Sequence, residues 1–301
     1  MEYIVLDLEW NTAYFKPQNR FINEIIQIGA VKLDESFNIV DTFQVLVRSA
    51  ISKKLSKRIT ELTGITTEEM LMGISFIDAV TQYNEWVGDD SVTMTWSDSD
   101  LYAIADNSNA FLNGTLSFKI TKYIDLQSYI QNEIRITGQA LTNQISLSNA
   151  ANLLNVSYEG LDLHTAIDDA RLAALVLKHT FNVNRFNALV RDTTDPTFYK
   201  RLFFKPYYIT KIGDSRINKS YLKFTCRDCQ NKLIRQNKWR FKNNWFRAEF
   251  MCPACERTFR CMLSCKQTYD KLVVKKRILP VANNDEAVNN VNALHELPEK
   301  L

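Results

Sequence analysis

The sequence predicts an α/β fold, a mixed sheet covered by helices on both faces, followed by a small β-rich module held by metal. Three observations carry this. The chain opens with three apolar, β-branched runs, Tyr3 to Leu8, Glu24 to Leu33 and Asn38 to Val47, the last two joined by the tight Asp34-Glu-Ser-Phe37 connection, and short connections make neighbouring strands antiparallel. Strand and helix signals then alternate to about residue 180, the pattern of a mixed sheet. Last, Cys226-x-x-Cys229 and Cys252-x-x-Cys255 enclose a 22-residue insert, the spacing of a tetrahedral metal site.

Taken in order, residues 12–23 read as a polar loop containing Pro17. Residues 53–63 and 75–87 have helical spacing, the second with Ile77, Val80, Tyr83 and Val87 along one side. Val92 to Trp96 reads as a fourth strand, residues 100–112 as a helix, Lys119 to Ile124 as a fifth strand and Leu126 to Ile134 as a helix. Helices over Ser146 to Leu154 and Thr165 to Thr180 follow, separated by a turn at Gly160. From 181 to 221 no period appears, but Phe198, Tyr199, Phe203, Phe204, Tyr207 and Tyr208 cluster there, too many aromatics for a free linker; they serve either packing or base stacking. These signals divide the chain into 1–182, an aromatic-rich connector at 183–221, a basic cysteine module at 222–278 and a polar tail at 279–301, with a short helix near Val288 to Leu294.

With 301 residues the chain has room for one large domain and a smaller one. Nothing resembles a signal peptide and no segment approaches the length of a membrane span, so a cytoplasmic protein without membrane partners is expected. The net charge of +3 hides an asymmetry: residues 1–180 hold 13 Lys and Arg against 23 Asp and Glu, while residues 200–277 hold 21 against 5. A basic part joined to an acidic one fits a grip on a polyanion beside a part that works on it with metals; a solvated basic surface is the other reading.

The acidic candidates begin in the first strand. Asp7 and Glu9 interrupt an apolar run, and side chains two apart on a strand share a face. Two such carboxylates repel unless a cation lies between them, for which a divalent metal is the usual solution; alternatively the strand ends at Leu6 and both acids are solvated. Asp98 and Asp100 follow the fourth strand, where α/β sheets place functional residues, and either could cap the next helix. In Leu163-His164-Thr165-Ala-Ile-Asp168-Asp169-Ala170, the Thr165 and Asp168 spacing is that of a capping box. His164 then stands just before a helix, with Asp169 in its first turn, where the helix dipole also favours a merely solvated acid.

Asp7-x-Glu9, Trp96-x-x-x-Asp100 and His164-x-Ala166-x-x-Asp169-Ala170, together with Glu24-Ile-Ile-Gln-Ile-Gly-Ala-Val and Leu62-Thr-Gly-Ile-Thr66, resemble the sequence blocks of the DEDDh (DnaQ-like) 3′-to-5′ exonuclease family over residues 1–180. The Trp96 spacing favours Asp100 over Asp98 as the family's third carboxylate. The resemblance implies a ribonuclease-H-like mixed sheet of five strands. It also implies a pair of Mg²⁺ or Mn²⁺ ions, about 3.5–4 Å apart, for which hard oxygen ligands are suited. By that analogy Asp7 would touch both ions, Glu9 and Asp169 would complete one site, and Asp100 would support the other. His164 would accept a proton from the attacking water, work suited to a side chain that titrates near neutrality. Trp10 departs from many relatives, and stacks on a terminal base or packs.

The cysteine module resembles a zinc ribbon: Cys226, Cys229, Cys252 and Cys255 would hold one structural Zn²⁺, whose binding supplies folding energy to a module with little core. Cys261 and Cys265 are surplus, read as reduced thiols with ligand exchange open to them. Between the pairs, Lys238 to Lys242, Asn243-Asn244 and Trp245 to Phe250 read as a hairpin. Its Trp239, Phe241, Trp245 and Phe246, interleaved with Lys238, Arg240, Lys242 and Arg247, have the composition of a single-strand platform; the other reading is a protein-docking ribbon. The expected function is metal-dependent 3′-to-5′ removal of nucleotides from single-stranded RNA or DNA. A catalytically silent nucleic-acid-binding or regulatory protein is the alternative.

Overall fold

In the computed structural model, residues 2–112, 118–141 and 143–281 are described. The chain forms two compact units, one ending at Phe203 and the other starting at Phe204. Among the described residues no helix is long and apolar enough to cross a membrane.

The first unit holds β1 (Glu2–Phe15), β2 (Arg20–Leu33), β3 (Ile39–Leu46), α1 (Lys57–Thr63), α2 (Thr67–Met72), α3 (Phe76–Val87), β4 (Ser91–Thr95), α4 (Ser99–Phe111), β5 (Lys122–Asp125), α5 (Leu126–Ile136), α6 (Leu147–Leu153), α7 (Ala166–Thr180), α8 (Val183–Leu189), β6 (Arg191–Asp192) and α9 (Phe198–Leu202). The sheet order is β3-β2-β1-β4-β5-β6. The first three strands are the expected antiparallel meander, β4 and β5 add in parallel, and the two-residue β6 closes the edge antiparallel to β5 as a sixth strand. This is the ribonuclease-H-like mixed sheet that the motifs imply.

Period-two alternation along β1 assigns its side chains to the two cores. Ile4, Leu6 and Leu8 join the layer containing α3 and α4, whereas Tyr3 and Val5 face the layer of α5, α6 and α7. Asp7 and Glu9 therefore continue the α7 side. Leu172, Val176 and Leu177 of α7 are fully buried, worth roughly 5–9 kcal/mol of apolar burial before ordering entropy. That fastens the helix whose first turn carries Asp169.

Residues 12–23 are not a polar loop. β1 and β2 stay paired to Phe15↔Arg20, tied by a Thr12–Asn23 side-chain bond of 3.0 Å and an edge-to-face Tyr14–Phe21 pair with centroids 5.2 Å apart. Cross-strand side chains thus stabilise an arm whose polarity had suggested a loop. The stretch 183–221 is divided between the units. Phe198, Leu202 and Tyr199 pack into the first unit's core and Phe203 lies edge-on to Tyr102, while Phe204 and Tyr207 meet within the second. Helices α8 and α9 are too short to show a period.

The second unit is a sheet of β7 (Tyr207–Tyr208), β8 (Ile234–Arg235), β9 (Arg240–Lys242), β10 (Trp245–Met251), β11 (Thr258–Gln267) and β12 (Leu272–Pro280). Its path is β12-β11-β10-β8, with β9 on β10 and β7 on β11. The expected hairpin is present: Asn243 and Asn244 both take positive φ, 51° and 62°, as a two-residue turn between right-twisted strands requires. β12 runs through Pro280, past the expected start of the tail; the expected helix near Val288 lies outside the described residues.

Candidate active site

The site sits midway along β1, just past the point where its parallel pairing with β4 ends and at the junction of the meander with the parallel strands. Pairing of β1 with β4 stops at Val5↔Met94. Beyond it the N–H of Leu8 bonds the carboxylate of Asp100, which its own N–H also approaches. Asp100 is buried, 3% exposed, in the first turn of α4. Asp98, its competitor, makes no cap bond; it takes the Tyr123 hydroxyl at 3.1 Å instead. The placement agrees with the expectation from the Trp96 spacing: α4 turns Asp100 toward β1 and leaves Asp98 to Tyr123.

Asp7, Glu9 and Asp169 converge, with carboxylate oxygens within 4.8 Å of one another. Asp7 pairs across the ladder with Gly29, and Gly29 is the notch that admits α7. A Cβ there would stand 2.4 Å from the backbone of Ala166 and Ile167. The buried side chain of Gln27 accepts the Ala166 N–H at 3.0 Å, fixing the helix start on β2. Both residues lie in the Glu24 to Val31 block, yet their part is invisible in sequence because it depends on contacts with the start of α7, far along the chain. Gly29→Ala is expected to cost about 1–3 kcal/mol through overpacking and to lower metal-dependent turnover at least tenfold; a wild-type melting temperature and rate would contradict this seating.

Thr165 caps α7, accepting the Asp168 N–H at 3.4 Å. The reciprocal half of the capping box is missing, because Asp168 accepts from the Asp162 N–H and pairs with Arg171 at 2.8 Å. This leaves Asp168 structural and frees Asp169. His164, exposed, has φ 75°, a left-handed conformation uncommon outside glycine but tolerated by His and Asn. There its N–H bonds the Asp169 carboxylate while its charge acts on the same group. A bulge separates Glu9 from Trp10, and the half-buried Trp10 packs against the α3–α4 core.

Electrostatics define what this arrangement can do. Asp7 is pushed well above the carboxylate range by burial and then by Asp100, Asp169 and Glu9. Glu9 is pushed up to about 8 by burial, Asp169 and Asp100. Burial takes Asp100 up to about 8 against its two N–H donors. Asp169 is also raised by burial, with the His164 N–H opposing. Among the described residues no lysine or arginine ion-pairs with these four. A divalent cation is what such a set fits: oxygen donors only, mutually repelling and partly open to solvent.

The sign of the pH effect follows. Between the ordinary carboxylate range and about pH 8 the folded, metal-free protein holds protons that the unfolded chain has released, so its stability falls as pH rises through that window. Melting temperatures of protein dialysed free of magnesium and manganese should drop from pH 5.5 to 8.5, and added cation should restore them. A flat metal-free profile would contradict the clustering.

In the second unit, Cys226, Cys229, Cys252 and Cys255 gather with sulfurs 3.3–3.9 Å apart in the close pairs. Thiolates about 2.3 Å from one centre in a tetrahedron lie roughly 3.8 Å apart, so the donor set fits zinc. Each knuckle turns through a positive-φ residue, Gln230 (60°) or Glu256 (55°). Cys261 and Cys265 stand apart from this cluster. They are inward-facing positions of β11, 0% and 1% exposed, in the alternation Phe259, Cys261, Leu263, Cys265. Burial pushes the Cys261 thiol up to about 12; both residues are core, and ligand exchange with them has no geometric support.

The hairpin residues separate by face. Trp239 lies against Phe224 and Phe250, with centroids 6.2 and 5.6 Å away, and Phe246 is 2% exposed, so these two are packing residues rather than a stacking platform. Arg240 pairs with Arg247, and Lys242 with Trp245, on the opposite face.

A carboxylate cluster on the central strand of a mixed α/β sheet, with a histidine at the capped helix beside it, has the donor chemistry that metal-dependent phosphodiester hydrolysis needs. A family model described as exonuclease, RNase_T, matches residues 4–177, and the chain belongs to that family. It is 32% identical to the DNA polymerase III PolC-type protein of Clostridium perfringens over 181 residues, 60% of this chain and 11% of that protein. It is 26% identical to the 3′-5′ exoribonuclease 1 of Rattus norvegicus over 180 residues, 58% of this chain and 52% of that one. The chain thus spans between a tenth and about half of the curated relatives it matches. Among solved structures, the nuclease domain of 3′hExo, a DEDDh family member bound to rAMP, matches with a TM-score of 0.53 at 20% identity, covering 64% of this chain and 96% of that one. Cell-death related nuclease 4 matches with a TM-score of 0.51 at 19% identity, covering 70% and 69%. At these identities the likeness is one of fold.

Proposed function

We propose that this chain is a metal-dependent 3′-to-5′ exonuclease acting on single-stranded RNA or DNA. The observation that carries the reading is the convergence of Asp7, Glu9 and Asp169 within 4.8 Å, with buried Asp100 held beside them. These four would hold two Mg²⁺ or Mn²⁺ ions, which when bound neutralise charge on the attacking and leaving oxygens. The chain's own residues do the rest. The N–H of Leu8 orients Asp100, the N–H of His164 orients Asp169, and the His164 imidazole takes a proton from the attacking water. Residues 222–278 form a ribbon held by one Zn²⁺ on Cys226, Cys229, Cys252 and Cys255, helping to grip nucleic acid. Thiols held as ligands suit the reducing cytoplasm.

The test is purified full-length chain with 5′-end-labelled single-stranded RNA and DNA in magnesium or manganese. A ladder shortening from the 3′ end is expected. Immediate release of labelled mononucleotide, or binding with no cleavage of either polymer, would overturn the reading.

A further inference from the structure

Residues 204–281 carry 19 Lys and Arg against 5 Asp and Glu, a net of +14, and strand register sorts much of that charge onto one face. Across the sheet Arg240 pairs with Arg247, Arg247 with Met262, and Met262 with Arg277. Residues directly opposite share a face, so these form one row spanning four strands, roughly 14 Å at the usual strand spacing. The flanking positions are of the same kind: Lys242 beside Trp245 on the β9–β10 ladder, Arg260 and Lys266 on β11, Lys275 on β12. The acid among the outward positions of β9 to β12 is Glu249, opposite Arg260. The other face holds the core residues Phe246, Phe250, Phe259 and Leu263. Arg277 places its guanidinium 4.8 Å from the Trp245 ring centre. The Nε of Arg247 is buried with no hydrogen-bond partner among the described residues.

We propose that the outward face of β9 to β12 is a phosphate-gripping surface for single-stranded nucleic acid, with Trp245 as its stacking residue. This rests on the nuclease reading above and relocates the grip from the hairpin to the whole sheet, since Arg260, Lys266, Lys275 and Arg277 come from β11 and β12. Protein interfaces deplete charge at their core, whereas here cations occupy the middle of the face and the central apolar position, Met262, is 8% exposed. Cations at repeated spacing around an aromatic ring match a polymer of phosphates and unpaired bases.

The experiment measures binding of a fluorescent 20-nucleotide oligo-dT across a salt series. It uses full-length Asp7→Ala protein, so that the strand is not consumed. Into this background go Arg240→Gln, Lys242→Gln, Lys275→Gln and Arg277→Gln together, all exposed positions. A charge-matched control changes Lys211, Lys219, Lys223 and Lys232 to Gln, exposed positions outside these strands. Zinc content and circular dichroism verify that both remain folded, and Trp245→Ala in a third protein tests stacking with a single change. The face variant should bind at least tenfold more weakly, with the slope of log affinity against log salt smaller by about 2–3, at roughly 0.7 per phosphate contact; the control should move by less than half of this. Equal losses in face and control variants would overturn the proposal in favour of diffuse attraction. Unchanged binding by the face variant would overturn it too, and leave an acidic protein surface as the face's partner. Whether the chain cuts is read separately, from wild-type protein on a trinucleotide, so failure of the nuclease reading is distinguishable from failure of the grip.

Discussion

Asp7→Ala is expected to abolish nucleotide release, by roughly 10³-fold or more, while the protein stays folded. Asp7 is the carboxylate that burial and all three other acids perturb, which places it at the centre of the set. Losing several kcal/mol of transition-state charge stabilisation corresponds to a rate loss of that size. The same substitution should raise the metal-free melting temperature at pH 8, because it removes the half-buried carboxyl whose ionisation the three neighbouring acids oppose. The paired measurements are turnover in saturating magnesium and calorimetry without it. A folded variant that turns over normally would end the two-metal reading.

His164→Ala is expected to slow turnover by about 10² to 10⁴-fold, the usual scale for loss of a general base, with metal affinity little changed. Affinity is expected to survive because the contact from residue 164 to Asp169 includes a backbone N–H, which any side chain leaves in place. His164→Asn separates chemistry from conformation, since Asn tolerates φ of 75° but supplies no base. Should metal binding collapse in His164→Asn, the imidazole would be a ligand and its role as base would have to be abandoned.

The residue types and spacings of Asp7, Glu9, Asp100, Asp169 and His164 were legible in the chain because chemistry demands particular functional groups, and a group's identity is written in one letter. The meander and the parallel strands were legible for a similar reason: period and turn residues are local. The sequence alone also determined the zinc-type cysteine quartet, whose spacing within each pair is local too. What only the tertiary structure decided were the matters that depend on which surfaces meet. It made Gly29 the seat of α7 and extended the β1–β2 arm through a stretch that looked like a loop. It took Trp239 and Phe246 into the core and lined up cations from three strands on the opposite face. Register is the physical reason, since a strand shows one alternation to the sequence but gains its neighbours, and hence the function of each face, only when the sheet is assembled.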